Sequence, residues 1–298
     1  MQGVHAAIIT PFDAQLEIDE AALTAQIARL IDDGIHGIVV NGTVGEGGSL
    51  SQAERRSTVE MTVAAAAGRV PVSAGVSAGT AAQATAYARD AEAAGADSLM
   101  LLPPLLYRAD RHELLEFFGA VAGASQLPIM VYNNPEASGT DLTPERLAEI
   151  ADAVPTVRAF KECSGDARRI AELVNRCPEI DVMVGGDDWA LEGFCAGASG
   201  WVSGVAVVVP SAAVRLWELC GAGELQAARE LYAELLPLSR LDMTPKLVQY
   251  FKAALDELGL AGGPCRPPRL ELTEPELETL RNATRRAAAA ARSGAPAR

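Results

Sequence analysis

Apolar and polar positions fall into alternating blocks along this chain. Short β-like runs occupy residues 6–10, 37–41, 71–75, 98–102, 128–132, 157–161, 181–185 and 200–204. Between them lie stretches with helical patterning, each long enough for a crossover: 19–33, 51–67, 81–94, 111–122, 143–151, 167–175, 188–196 and 211–219. Ser51-x-x-Glu54 fits a capping box, and Thr143-Pro144-Glu145 puts a cap residue before a first-turn proline. Gly34, Gly68 and Gly95 fall where helices should stop. Strand and helix repeated eight times predict an α/β chain folded as a TIM (β/α)8 barrel. From about residue 221 the strand signal ends. Residues 224–235, 245–258 and 274–286 predict helices, with a Pro-rich link at 262–268. The expected division is a catalytic barrel over 1–220 and a C-terminal helical appendage over 221–298, whose last stretch, 286–298, lacks an apolar stripe and is expected to fray.

Composition then narrows the class. The 298 residues are 49% hydrophobic and 5% aromatic, which supports a large aliphatic core. The formal net charge is −14, with no basic patch outside the tail, so nucleic acid is not an expected partner. An anionic substrate would need local electropositive help. No 18-residue apolar run is present and the start lacks the basic region of a secretory signal, so no membrane association and a cytoplasmic location are expected. The five cysteines, Cys163, Cys177, Cys195, Cys220 and Cys265, have no Cys-x-x-Cys spacing and read as reduced thiols. His5, His36 and His112 are scattered without metal-ligand spacing, and the first two, at strand starts, are expected to be structural.

The candidate chemistry centres on Lys161, which ends the apolar run Val157-Arg158-Ala159-Phe160 just before Glu162-Cys163 and Ser164-Gly165-Asp166. A lysine held at the mouth of a buried strand loses hydration in its ammonium form. Its pKa falls, and the neutral amine can attack a carbonyl carbon. The bland alternative is a lysine that snorkels to water. Barrel topology argues against it, because active sites in this fold lie at the carboxyl ends of the strands. Tyr132, at the end of the fifth strand, is one βα unit from Lys161, so neighbouring strands would present the two side by side. Thr43, in the segment Asn41-Gly42-Thr43-Val44-Gly45-Glu46 after the second strand, adds a hydroxyl on the same rim. That segment is glycine-rich but lacks a following Lys-Ser/Thr, which argues against a P-loop. Asp187-Asp188 is expected to cap the seventh helix instead of holding a metal.

Taken together, Thr10-Pro11-Phe12, Gly42-Thr43-Val44-Gly45-Glu46 with Leu50-Ser51-x-x-Glu54-Arg55, Tyr132-Asn133-x-Pro135, Phe160-Lys161-Glu162-x-Ser164-Gly165-Asp166 and Gly186-Asp187-Asp188 occur in one order over almost the whole chain. In this the chain resembles the dihydrodipicolinate synthase / N-acetylneuraminate lyase family of pyruvate-type class I aldolases. The resemblance implies that Lys161 forms an imine with C2 of a 2-oxo acid and that Tyr132 relays protons with help from the Thr43 hydroxyl. It further implies that backbone N–H groups around Thr43 and Val44 grip the substrate carboxylate, with the Val202 carbonyl facing the site. No metal or cofactor is implied, because the iminium does the polarising itself. A homotetramer built from two tight dimers is implied as well.

Departures from the family pattern bear on specificity. Where lysine-biosynthetic members carry an arginine for the second substrate's carboxylate, this chain has Ala137, and Val44 replaces the second of two paired threonines. Paired tyrosines after the fourth strand are replaced by Pro103-Pro104-Leu105-Leu106-Tyr107, so Tyr107 would have to serve from a displaced position. Gly47 and Gly48 remove side chains beside the expected substrate tail. Gly47, Leu105, Tyr107, Asn133 and Ala137 are the expected specificity positions. The function expected is a Schiff-base lyase acting on a small-molecule 2-oxo acid, with aldol cleavage or formation ahead of dehydration of a 3-deoxy-2-oxo sugar acid. Synthesis of 4-hydroxy-tetrahydrodipicolinate ranks next, and a catalytically silent metabolite-binding barrel last.

Overall fold

Among residues 1–293, which the computed structural model describes, eight parallel strands close into a barrel in chain order. They are β1 (Gly3–Ala7), β2 (Gly37–Val40), β3 (Val72–Gly75), β4 (Ser98–Leu101), β5 (Ile129–Asn133), β6 (Val157–Glu162), β7 (Asp181–Val184) and β8 (Gly200–Ser203), with β8 returning to β1. The outer layer comprises α1 (Glu20–Asp32), α2 (Gln52–Ala66), α3 (Ala81–Ala93), α4 (Arg111–Ala122), α5 (Pro135–Ser138), α6 (Pro144–Ala153), α7 (Arg168–Arg176), α8 (Ala190–Cys195), α9 (Val205–Val208) and α10 (Pro210–Gly221). Then follow α11 (Leu225–Ser239), α12 (Leu247–Glu257) and α13 (Glu274–Ser293). The fold is a TIM barrel with a C-terminal helical extension. None of these helices is long and apolar enough to cross a membrane.

Local chemistry sets most boundaries. Ser51 and Glu54 form the reciprocal capping box, and Thr143 caps α6 ahead of Pro144. Gly34, Gly68 and Gly95 adopt positive φ where helices end. Half-buried His36 and buried His5 are structural: Nδ1 of His36 accepts the Val4 N–H at 3.1 Å, and Nε2 of His5 lies 3.2 Å from the Gln2 carbonyl.

The first strand begins three residues earlier than the apolar run at 6–10 predicts. Gly3 to Ala6 pair with β8, whereas Ile9 has left the sheet and gives both backbone groups to Gln26, at 3.3 and 3.2 Å. An amide side chain from α1 satisfies the Ile9 backbone where the ladder cannot. The short α9 also escapes the sequence pattern, because Val-Ala-Val-Val has strand composition. It is helical because Asp187 Oδ2 accepts the Val205 N–H at 2.7 Å and Ser203 Oγ accepts that of Ala206 at 3.0 Å. Asp187 thus caps α9 and makes no cap bond to the helix it precedes, correcting the expectation of a cap on the seventh helix.

Fraying from residue 286 is corrected too. Helix α13 runs to Ser293, with Ala287 and Ala288 buried and Arg286 bound by both Glu234 oxygens at 2.6 and 2.9 Å. The remainder of that stretch, 294–298, lies outside the described residues.

The extension also reaches the carboxyl end of the barrel. Beyond α12, Gly262 and Gly263 press so closely on the Lys252 and Phe12 carbonyls that a Cβ would lie 2.0 and 2.4 Å from them. Phe12 is flanked by Lys252 at 4.3 Å and Arg266 at 4.4 Å from its ring centroid. These contacts bring residues of the extension over the mouth of the barrel.

Candidate active site

The ladder between β5 and β6 pairs Tyr132 with Lys161 directly. Successive side chains alternate between barrel interior and helix layer, so both of these point inward, and Lys161 Nζ lies 4.0 Å from the Tyr132 ring centroid. Both are buried, at 6% and 4% exposure. The chain has three lysines, Lys161, Lys246 and Lys252. Lys246 is paired with Glu276 at 2.7 Å and Lys252 with Glu46 at 2.7 Å, whereas among the described residues Lys161 makes neither an ion pair nor a hydrogen bond. Burial lowers the Lys161 pKa, with Cys163, Asp242 and Asp187 opposing the shift. Gly185 at the end of β7 leaves room for the lysine stem, since a Cβ there would stand 3.0 Å from Lys161 Cε. The result is a buried amine, poised to lose its proton, at the bottom of a cavity.

Burial pushes the Tyr132 phenol well above its ordinary range, with Cys163 adding to the shift and the bond from Asn134 opposing it. Asn134 Nδ2 donates to the phenol oxygen at 2.9 Å, while its Oδ1 caps α5 by accepting the Ala137 N–H at 3.0 Å. The neighbouring Cys163 thiol is pushed up to about 12 by burial, which keeps it protonated and inert. Opposite lies the loop after β2. Positive φ at Asn41 and Glu46, with Thr10 Oγ1 donating to the Gly45 carbonyl at 2.7 Å, turn its backbone toward the cavity. The cavity measures about 190 Å³ and is walled by Thr43, Val44, Val202 and Ala137 around Lys161 and Tyr132. A second lobe of about 240 Å³ shares Thr43, Tyr132 and Ala137, and adds Gly47, Leu105 and Arg269.

A buried amine beside a phenol, at the carboxyl ends of adjacent barrel strands, is equipped for imine chemistry on a carbonyl compound. A comparison of the sequence with protein families matches residues 1–287 to the Dihydrodipicolinate synthetase family. The chain belongs to that family. It is accordingly a class I lysine Schiff-base lyase of the aldolase type, from a family that condenses pyruvate. It is 35% identical over 283 residues to the 4-hydroxy-tetrahydrodipicolinate synthase of Methanopyrus kandleri, covering 94% of each chain. The solved 4-hydroxy-tetrahydrodipicolinate synthase of Methylacidiphilum fumariolicum superposes with a TM-score of 0.94 at 30% identity, covering 98% of each chain. A structure described as a monomeric dihydrodipicolinate synthase variant superposes at 0.91 and 27% identity, covering 97% of each chain.

Within this family framework, the predicted site residues divide by where their side chains go. Thr43 reaches the cavity, but among the described residues its hydroxyl makes no hydrogen bond, and the bond to Tyr132 comes from Asn134. Asn133 is not a specificity residue by geometry. It is fully buried on the outer face, donating to Glu162 Oε2 at 3.0 Å and accepting the Leu142 N–H at 2.9 Å, because the period-2 alternation that points Tyr132 inward turns Asn133 out. Gly47 is a steric requirement more than an enlargement of the pocket. A Cβ there would lie 2.3 Å from the Asn41 carbonyl, while Gly48 has open space. Tyr107 is 47% exposed and lines neither lobe of its own protomer.

Three cavity residues were not legible as such in the sequence: Asn134, Arg269 and Asp242. Asn134 lies inside the Tyr132-Asn133-x-Pro135 motif, at its variable position. Arg269 and Asp242 come from the extension, and no local pattern marks them.

Proposed function

We propose that Lys161 is the imine-forming residue of a pyruvate-dependent aldolase, with Tyr132 as its proton carrier and the Thr43–Val44 backbone as the grip on the 2-oxo acid carboxylate. The observation that carries this reading is that, of three lysines, the unpaired and buried one is in register with the buried tyrosine. The amine attacks C2, water leaves, and the resulting iminium acidifies the C3 protons. Loss of one gives an enamine whose C3 attacks an aldehyde carbon, and the reverse sequence cleaves the product. Tyr132 shuttles the protons, with Asn134 holding its hydroxyl in place. Tyr132→Phe is expected to slow turnover by about 10²–10⁴-fold, while prolonged incubation with pyruvate and borohydride still labels Lys161. Single-turnover kinetics read the first and intact mass the second.

The second substrate is where the relatives and this site diverge. The names of the relatives favour 4-hydroxy-tetrahydrodipicolinate synthesis, a reaction that needs a grip on a carboxylated aldehyde. At the position expected to provide it stands Ala137, whose methyl offers no charge. We therefore place a non-carboxylated aldehyde ahead of aspartate semialdehyde. The same imine also supports loss of water from a 3-deoxy-2-oxo sugar acid. Installing Ala137→Arg should raise kcat/KM for aspartate semialdehyde about tenfold to a hundredfold, the worth of a charge-assisted hydrogen bond. Efficient turnover of that aldehyde by the unmodified enzyme would instead establish the synthase reading.

A cytoplasmic homotetramer is the proposed state, resting on the family resemblance. Leu106, 97% exposed, and Tyr107 form a rim-loop surface suited to cover by a neighbouring protomer. Sedimentation velocity measures the assembly.

A further inference from the structure

Asp242 enters the Lys161 cavity from the turn between α11 and α12, far along the chain from every motif residue. Its place is built into the fold. Its backbone N–H donates to the Ser239 carbonyl at 3.1 Å, continuing the end of α11. Gly204, just past β8, supplies the space: a Cβ there would lie 3.2 Å from Asp242 Oδ1 and 2.4 Å from Phe251 Cε2. The Asp242 side chain, half-buried, makes no ion pair among the described residues; its carboxylate faces the Asp187 backbone N–H, and the cavity wall includes apolar Met243, Val202 and Leu247. One backbone N–H leaves most of a carboxylate's acceptor sites free, and a donor that enters the cavity can fill them.

The ionisable groups around it are Lys161, Asp187, Asp188 and Cys163. Burial pushes the Asp187 carboxyl well above the usual carboxylate range, with Asp242 adding to the shift, and Cys163 stays a thiol. Burial raises Asp242 to about 6, with Lys161 and the bond from the Asp187 N–H holding it down, so it carries its charge above that pH. The cavity therefore presents an acceptor-only group near the imine-forming amine. Ala137 contributes no cation to offset it, and Arg269, in the second lobe, is already engaged by Glu46 at 3.5 Å.

We propose that Asp242 recognises the second substrate, accepting a hydrogen bond from a hydroxyl borne beyond C3 of the bound 2-oxo acid and repelling a carboxylate at that place. This rests on the lyase reading and sharpens it: the preferred electrophile is a hydroxylated, uncharged aldehyde, and the corresponding product a hydroxylated 2-oxo acid. A missing cation and an added anion act in the same direction, which is how a site discriminates by repulsion as well as attraction.

The test uses borohydride trapping, which needs only imine formation and no turnover. Half-saturating concentrations are compared for pyruvate and for two five-carbon acids, 4-hydroxy-2-oxopentanoate and 2-oxoglutarate, with wild type, Asp242→Asn and Asp242→Leu. Wild type is expected to favour the hydroxylated acid over 2-oxoglutarate by at least about tenfold. Both substitutions should shrink that ratio by about tenfold or more, with 2-oxoglutarate itself trapped at lower concentration. Absence of the preference in wild type would overturn the proposal without any variant, so the test survives a substitution that fails to fold. Equal shifts for both acids in the variants would also overturn it, by reducing Asp242 to a structural role. A pyruvate adduct accompanying either result leaves the lyase reading standing, whereas no adduct from any of the three acids would sink that reading and the inference with it.

Discussion

Lys161→Met should lose all pyruvate adduct and all turnover, yet melt at a higher temperature than the wild type. The two effects share one cause. The amine is useful because its ammonium form is buried with only the Tyr132 ring face at 4.0 Å and no ion pair or hydrogen bond, and that same burial makes it costly to the fold. Methionine keeps the unbranched shape and fills the space without a charge. The gain should be about 0.5–2 kcal/mol, the usual scale when a functional strain is relieved. Its pH dependence follows from the lowered pKa. The unfolded chain binds the lysine proton more tightly than the folded one, so the wild-type penalty is complete below the folded-state pKa and fades as pH rises to the unfolded value of about 10.4. The melting advantage of Lys161→Met should therefore be largest at neutral and acidic pH and shrink in strong alkali. A variant less stable than the wild type at neutral pH would show that Lys161 is a satisfied structural lysine.

The second large effect is expected at Glu46. Its side chain is fully buried and lies 2.7 Å from Lys252, itself 2% exposed, in an ion contact that is not aligned as a good hydrogen bond. Its other oxygen accepts the Arg266 N–H at 3.1 Å. Glu46→Gln removes the charge and leaves Lys252 buried with an uncompensated ammonium, at a cost of about 3–5 kcal/mol. Because Glu46 sits in left-handed geometry at the base of the Thr43–Gly47 loop, the loss should also loosen the rim that faces the cavity. Urea unfolding measures the first effect. Pairing the change with Lys252→Met should recover much of the stability, since replacing a buried pair with apolar side chains is often neutral. No recovery in the double variant would mean that the pair's other contacts, to Phe12 and the 262–266 segment, matter more than its charge.

The barrel was readable because its strands are short and apolar and its crossovers carry caps and stop glycines. Lys161 and Tyr132 were readable for a related reason: two strand-end residues one βα unit apart must be neighbours in a parallel barrel, and the ladder pairs them. What escaped depends on orientation and on distance along the chain. Asn133 sits inside a motif but points away from the cavity, and only the strand's alternation reveals that. The first strand hides in Gly3-Val4-His5, where a buried histidine disguises an interior segment, while the more apolar Ile8 gives only its N–H to the ladder's last bond and Ile9 lies beyond it. Asp242 stands in Leu241-Asp242-Met243-Thr244-Pro245, which reads as an ordinary turn between helices, and only the packing of the extension over the barrel mouth turns it into a cavity residue.

The most direct test of the account is peptide mapping of the wild-type enzyme after incubation with pyruvate and borohydride. With three lysines in the chain, two of them engaged by carboxylates, a single reduced pyruvyl adduct is expected, on the peptide containing Lys161. An adduct on Lys246 or Lys252, or none at all on folded protein, would contradict it.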